Sequence, residues 1–396
     1  LSYVINFWKS KIKKKNIKVL SPNPNYTSRF HNVKSGLASR VVFFKENISN
    51  DFKLSTYKFK RRFFVKYIQL IIFSYLDKVN LNFFFSKSEI NFINEIKNSS
   101  LVHFCGGGYL TGSTKSRLWD GYFIMKICEI YKTRFVLSGQ TLGLFNEFFD
   151  WYFAKRLFPK AELIGIRDQK KFSKDMLSLN IIKNKIHFVT DDATFCTYEK
   201  NEKEFEKILN KKKKNILFNF HKRFSEHKYK EYIKHFSQFL NKIDKKKYDI
   251  YLIPMVPKDL DPLRELKNKL NFKIKILHLN FNYKMMKTLM SKSKLVITFK
   301  HHPIIFSASR SVNCMAIAPD NYYLKKNRSA LKKLGLAGNI IKDSQVFEGN
   351  LYKKFEKIIK QKVNNSKKLY LLKKKQDQFY KKIYDLFKMK HFPAHE

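Results

Sequence analysis

The sequence predicts an α/β chain of two Rossmann-like domains, with parallel sheets facing a central cleft and a basic helical C-terminus. Three observations lead there. Short apolar runs rich in Ile, Val and Phe alternate with longer amphipathic stretches, the order expected of βαβ units. The alternation lapses over 198–214, a stretch almost wholly charged apart from Phe205, Ile208 and Leu209, and then restarts. A chain of 396 residues also has room for two ordinary cores.

Taken in order, strands are expected over 17–20, 41–44, 101–104, 135–138, 163–166 and 187–189, each a short run of mostly apolar or β-branched residues. Helical patterns at 60–76, 117–131 and 169–179 separate them. The second series places strands at 216–220, 250–254, 274–279, 295–299 and 315–318. The expected division is a first domain over 1–197, a charged helix and linker over 198–214, a second domain over 215–345 and a basic helical tail over 346–396.

Hydrophobic residues make up 44% of the chain, enough to build cores and against disorder. Lys and Arg number 81 against 32 Asp and Glu, a formal net charge of +49 that draws anions of any kind. The lysines are scattered, and Lys, Asn, Ile, Phe and Tyr are all over-used, as in an AT-rich coding sequence. The charge therefore reads either as a solvated background or as a binding face. Cys105, Cys128, Cys196 and Cys314 are widely spaced with no CxxC pair, so no metal site is expected and the thiols fit a reducing cytoplasm. The most apolar stretch, 67–76, falls short of the roughly 18 residues a membrane span needs. At the N-terminus apolar residues precede the lysines, the reverse of a secretory signal, and Leu1 in place of Met leads us to expect further residues upstream. A cytoplasmic protein with peripheral contact to the anionic inner face of a membrane is the resulting expectation.

Chemistry is expected where strands end, since ligands of open α/β sheets bind there. Gly106, Gly107 and Gly108 follow the strand at 101–104 and offer a cradle of bare N–H groups for an anion. The GxxxxG spacing that runs on from Gly107 carries Ser113 where a nucleotide-binding loop needs Lys, which excludes a P-loop. Gly139, Gln140 and Gly143 repeat the arrangement after the next strand. Arg167 ends a third, suited to a carboxylate or phosphate, or else pairing with Asp168 or capping a helix. Asp191 and Asp192 follow a fourth; side chains of adjacent residues diverge, so a sugar hydroxyl or a turn suits one of them better than a metal. Lys300, His301 and His302 follow the strand at 295–299 and place a cation beside proton-transfer groups just ahead of Pro303. Lys326 is either a further cation for the same site or a surface lysine. An enzyme acting on an anionic small molecule is implied.

In this order the motifs resemble the polysaccharide pyruvyl transferase family. The resemblance rests on the glycine triplet, the Gly139-Gln140-x-x-Gly143 loop and Ile166-Arg167-Asp168 with Ser173 downstream. It continues through Thr190–Phe195, His302–Ala308 and Tyr323-x-x-Lys326 with Leu331 and Gly335, so that it spans about 101–336. It implies a GT-B-like fold and transfer of pyruvate from phosphoenolpyruvate onto hydroxyls of a surface glycan or its lipid-linked precursor, with no further cofactor. Where the family carries Arg-x-His, this chain has Lys300 and His302, and the family's N-terminal Gly-Asn-x-Gly-Asp loop is not evident. The expected catalytic residues are His302 as general acid, with Lys300 and Arg167 holding anions. Gly106, Gly107, Gly108, Gly139, Gln140, Asp192, His301 and Lys326 are expected to line the substrates.

Two other classes compete. A nucleotide-sugar glycosyltransferase would suit the same fold, but no paired acidic motif for a nucleotide ribose stands out in the second half. A nucleic-acid-binding protein would suit the charge, but the chain lacks zinc, RRM-like and helix-turn-helix patterns, and no specific nucleic-acid partner is expected.

Overall fold

Every strand pairing among the described residues is parallel, as alternating strands and helices require. The computed structural model describes residues 1–45, 56–75, 83–145, 147–167, 178–198, 208–210, 212–222, 225–279 and 282–389. They form two units, one of 1–192 with 374–396 and one of 193–373.

In the first unit, β1 (Lys18–Ser21) pairs with β2 (Lys34–Leu37). A separate four-stranded sheet runs in the order β3 (Val102–Phe104), β4 (Phe135–Gln140), β5 (Leu163–Ile166) and β6 (Ile186–Phe188). Every residue of β4 and β5 is buried, as in sheets covered on both faces. Helices Thr56–Tyr75, Lys115–Ile130 and Phe148–Leu157 bring Phe63, Trp119, Phe123 and Phe153 into one aromatic core. Helix Lys87–Lys97 starts where Glu89 Oε2 accepts the Ser86 N–H at 2.8 Å, half of a capping box.

The end of helix Ser366–Lys388 completes this unit, burying Phe379, Tyr380 and Ile383 against Val4, Trp8 and Val136. A Cβ on Gly165 would lie 2.8 Å from the Phe379 ring, so glycine in β5 lets the helix settle onto the sheet.

Residues 41–44 depart from expectation. They belong to helix Ser39–Val42 and the turn after it, with Phe43 and Phe44 buried beside Phe123. A four-residue apolar run carries too little period to separate strand from buried helix. Strand β2 was not expected. Most of the predicted helix at 169–179 and of the charged stretch at 198–214 lies outside the described residues.

The second unit carries β7 (Lys214–Asn219), β8 (Tyr248–Leu252), β9 (Lys275–Ile276), β10 (Leu295–Thr298), β11 (Asn313–Ala318) and β12 (Ile340–Lys342). Their spatial order is β12-β11-β10-β7-β8-β9. Counted from β7, that is the doubly wound order, which reverses between β7 and β10 and opens a crevice at their carboxyl ends. Helix starts are set by local side chains: Asn282 accepts the Lys284 N–H at 3.0 Å, and Asp320 accepts the Tyr323 N–H at 2.8 Å.

Strand β9 is shorter than the 274–279 run suggested, and β12 was not foreseen. Instead of a separate tail over 346–396, helix Leu351–Ile359 buries Phe355 and Ile358 in the second unit's core, while residues from 374 onward belong to the first. The unit boundary falls after 192 rather than 197.

Candidate active site

In the first unit the loops after β3 and β4 extend the pairing of those strands. The Gly107 N–H donates to Gly139 O at 3.3 Å, and Thr141 N–H donates to Gly107 O at 2.8 Å. Gly106 N–H donates to Asp192 Oδ2 at 3.2 Å. The amides of Gly106 and Gly107 are thus committed within the protein, unlike the bare cradle expected of the triplet. Gly108 adds its carbonyl, which accepts the Thr111 hydroxyl at 3.1 Å.

Asp192 is the hub of this rim. It is 2% exposed, and its two oxygens accept from Ser138 Oγ (2.9 Å), Gln376 Nε2 (2.7 Å) and Tyr380 OH (2.8 Å) besides Gly106. Burial raises its carboxyl above the usual range, and these donors work the other way. A carboxylate so occupied braces the loops, which differs from the sugar contact expected of it. Gly139 supports the same packing: its φ is +53°, and a Cβ there would lie 3.1 Å from the Asp192 carboxylate. Gln140 is fully buried and donates to Cys105 O at 2.6 Å and Tyr109 OH at 3.2 Å, another brace between the loops.

Behind Asp192 runs a directed chain. Trp8 Nε1–H donates to His103 Nδ1 at 3.0 Å, so the proton of the neutral ring lies on Nε2, 2.9 Å from Ser138 Oγ. Burial lowers the His103 pKa to about 3 and keeps the ring neutral.

Arg167, just past β5, is 6% exposed. Its Nε donates to Thr141 Oγ1 at 2.8 Å and its NH1 pairs with Asp191 Oδ2. The adjacent acids have diverged, Asp191 to Arg167 and Asp192 to the hub, as expected for neighbours in sequence. Asp168 and Ser173 lie outside the described residues.

In the second unit the crevice between β7 and β10 has its own polar floor. Lys300 Nζ lies 2.6 Å from both oxygens of Asp259, a buried carboxylate that also accepts the Met255 N–H at 2.8 Å. Asn219 at the end of β7 joins them, 3.3 Å from Asp259 and 3.2 Å from Thr298 Oγ1, which in turn accepts the Lys300 N–H. The ammonium expected at this strand end is therefore present, held in place and largely offset by a carboxylate.

His301 and His302 open helix His301–Ala308, the first buried and the second exposed, with ring centroids 6.1 Å apart. Lys326 reaches the OH of Tyr322 at 3.4 Å; the neighbouring Tyr323 ring lies 6.0 Å from His221, which lies 5.3 Å from Phe299. Lys300, His301 and His302 thus follow the end of β10 directly, while Lys326 lies on helix Asn321–Lys333 after β11, against Tyr322.

Three residues of this floor went unread in the sequence. His221 and Asn219 stand at the end of β7 as Lys300 does after β10, so the same strand-end rule would have found them. Asp259 carried a weaker signal, an acid between Pro257 and a helix start, and only the fold aims it at Lys300.

A family model described as polysaccharide pyruvyl transferase matches residues 9–321. Among solved structures, UDP-GlcNAc 2-epimerase from Neisseria meningitidis bound to UDP-GlcNAc superposes with a TM-score of 0.59 at 11% identity, over 97% of this chain and 96% of that one. A putative UDP-N-acetylglucosamine 2-epimerase from Listeria monocytogenes gives 0.58 at 10% identity over 99% and 93%. A glycosyltransferase from Rickettsia africae gives 0.51 at 13% over 94% and 89%. At these identities the likeness is one of fold, and that fold is GT-B-like. No curated protein matches the chain in sequence.

Proposed function

Because the chain belongs to the polysaccharide pyruvyl transferase family, we propose that it moves pyruvate from phosphoenolpyruvate onto two hydroxyls of a sugar, forming a ketal on a surface glycan or its lipid-linked precursor. The observation that carries the reading is the junction of β10 with helix His301–Ala308, at the point where the strand order reverses. The dipole of that helix favours an anion at its start. Lys300 and His301 add positive or protonatable groups there, and Lys326 is proposed as a further cation. Since Asp259 offsets Lys300, the helix N-terminus carries a large share of the attraction.

The reaction needs a proton at the methylene carbon of the donor, which leaves an oxocarbenium-like centre at C2. One sugar hydroxyl adds to C2, the C–O bond to phosphate breaks, and a second hydroxyl closes the ring. Of the two hydroxyl protons, one balances the new methyl group and the other leaves with inorganic phosphate. His302, exposed on the first helical turn, is proposed as the general acid, and Lys300 as the group that orients the donor. Arg167, braced by Asp191 and Thr141, is proposed as a further anion-binding cation. Gly106, Gly107, Gly108, Gly139, Gln140 and Asp192 are proposed to act by shaping the loops rather than by direct charge.

The test is thermal stabilisation of the purified protein by phosphoenolpyruvate, UDP-sugars and GDP-sugars at fixed moderate salt, with inorganic phosphate as control. A shift specific to phosphoenolpyruvate, lost in Arg167→Ala and Lys300→Ala, is expected. A shift confined to a nucleotide sugar would replace this reading with glycosyl transfer.

A further inference from the structure

The first unit exposes an apolar surface that its own core does not use. Helix Thr56–Tyr75 buries Phe59, Phe63, Tyr67 and Leu70 on one side. On another side Val65, Ile68, Ile72 and Tyr75 stand exposed, Tyr75 at 81%. Their spacing of three and four residues sets them on one stripe about 80° wide. Alongside lies helix Phe148–Leu157, joined to the first by the Phe64–Phe149 pair at 4.9 Å and the Tyr67–Phe153 pair at 4.9 Å. This second helix exposes Phe148 at 75%, with Phe149 and Tyr152 beside it. Two adjoining helices thus present seven large apolar side chains to solvent, far more than the scattered exposure normal for a soluble surface.

The charge carried by these two helices is almost all of one sign, and the neighbouring carboxylates Glu147 and Glu89 are taken up by Lys60, Lys115 and Lys66. Helix Thr56–Tyr75 carries Lys58, Lys60, Arg61, Arg62 and Lys66 and no acidic residue. Helix Phe148–Leu157 carries Lys155 and Arg156, and its single acid, Asp150, is buried. Arg61 and Lys58 lie on the same stripe as Ile68, one and two turns before its apolar part. A second copy of the chain would bring like charges together across a symmetric contact, which opposes a dimer on this face. Aromatic and aliphatic side chains flanked by cations instead match the boundary between lipid headgroups and acyl chains.

We propose that this face, formed by Thr56–Tyr75 and Phe148–Leu157, is a membrane-docking surface that inserts Ile68, Ile72 and Phe148 shallowly into an anionic bilayer. The inference is independent of which donor the enzyme uses. Among the described residues no helix is long and apolar enough to cross a membrane, so the contact lies in the plane of the interface.

The experiment is flotation of the full chain with phosphatidylcholine vesicles, with and without about a third phosphatidylglycerol. Binding is expected only to the anionic vesicles, and Ile68→Ser and Phe148→Ser should each weaken it by about tenfold, the effect of withdrawing one large apolar side chain. Because any chain of this charge adheres to anionic vesicles, a control variant replaces Lys353, Lys354 and Lys357 of the second unit with Gln. That variant should still float. A Phe148→Trp variant should show a blue shift with anionic vesicles and quenching by brominated acyl chains. Undiminished flotation of the two Ser variants, or a Trp that brominated lipid does not quench, would reduce the binding to bulk charge and overturn the proposal. So would a dimer in sedimentation velocity that Phe148→Ser dissociates. Unchanged melting temperatures in the Ser variants will show that the fold is retained; should one unfold, the Trp variant decides alone.

Discussion

Asp259→Asn should expose how much of the second unit rests on one buried charge pair. The wild-type carboxylate side chain is 2% exposed and faces Lys300 Nζ at 2.6 Å, with a Lys300 side chain 17% exposed. It also accepts the Met255 N–H at 2.8 Å, the Val256 N–H at 3.2 Å and Asn219 Nδ2 at 3.3 Å. Asparagine keeps an acceptor for the backbone amides but turns a neutral donor toward the ammonium. Breaking a buried pair from one side costs about 3–5 kcal/mol. The partial exposure of Lys300 lets water take over some of the lost interaction, which brings the expectation to about 2–4 kcal/mol. For a unit of this size that is a fall of roughly 5–15 °C in melting temperature. Adding Lys300→Met removes the stranded ammonium, so the double variant should be more stable than the sum of the singles by about 2 kcal/mol. The assay is calorimetry of the four proteins of the cycle. Strictly additive effects, or an Asp259→Asn variant that melts within about 1 °C of the parent, would refute the claim that the pair organises this strand end.

Three further outcomes are expected. His103 is neutral in the fold while the unfolded chain gains a proton below about 6.5, so stability should fall as pH drops from 6.5 toward 3, by up to about 4 kcal/mol. Asp192, whose raised carboxyl contributes with the opposite sign, will not produce this slope; urea unfolding across that range should show it flattened in His103→Gln. Gly139→Ala forces a side chain into a left-handed backbone at φ +53° and against Asp192, which should cost about 1–2 kcal/mol or more in stability, read from the same unfolding curves. His302→Ala, at an exposed position, should leave melting unchanged and lower the rate of phosphate release from phosphoenolpyruvate by about 10²–10⁴-fold; full activity would remove His302 from the mechanism.

The strand end that carries Lys300 and the two histidines could be read from the sequence, and the partners of the groups there could not. Lys300 and the two histidines stand after the run 295–299, whose unbroken apolar character marks a doubly buried parallel strand. Such a strand has only its ends to offer to a ligand, so the position of the cluster followed directly. The glycine loops were found by the same logic, but the amides of Gly106 and Gly107 are bonded within the protein rather than bare. Their amides looked bare because nothing local could satisfy them, and their partners, Asp192 and Gly139, are distant in sequence or on the next strand. Asp192 in turn takes donors from Gln376 and Tyr380, more than 180 residues away.

What the sequence determined by itself is therefore what short-range pattern controls: the α/β class, the two series of strands, the order of the family's motifs and the strand ends where chemistry belongs. The tertiary structure alone decided the strand order that opens the crevice between β7 and β10, and the return of the last helix to the first unit. It also chose the acids, Asp191 for Arg167 and Asp259 for Lys300. Periodicity reports which face of an element is buried. Which buried charge meets which partner depends on contacts between elements far apart in the chain, and local spacing carries no record of those.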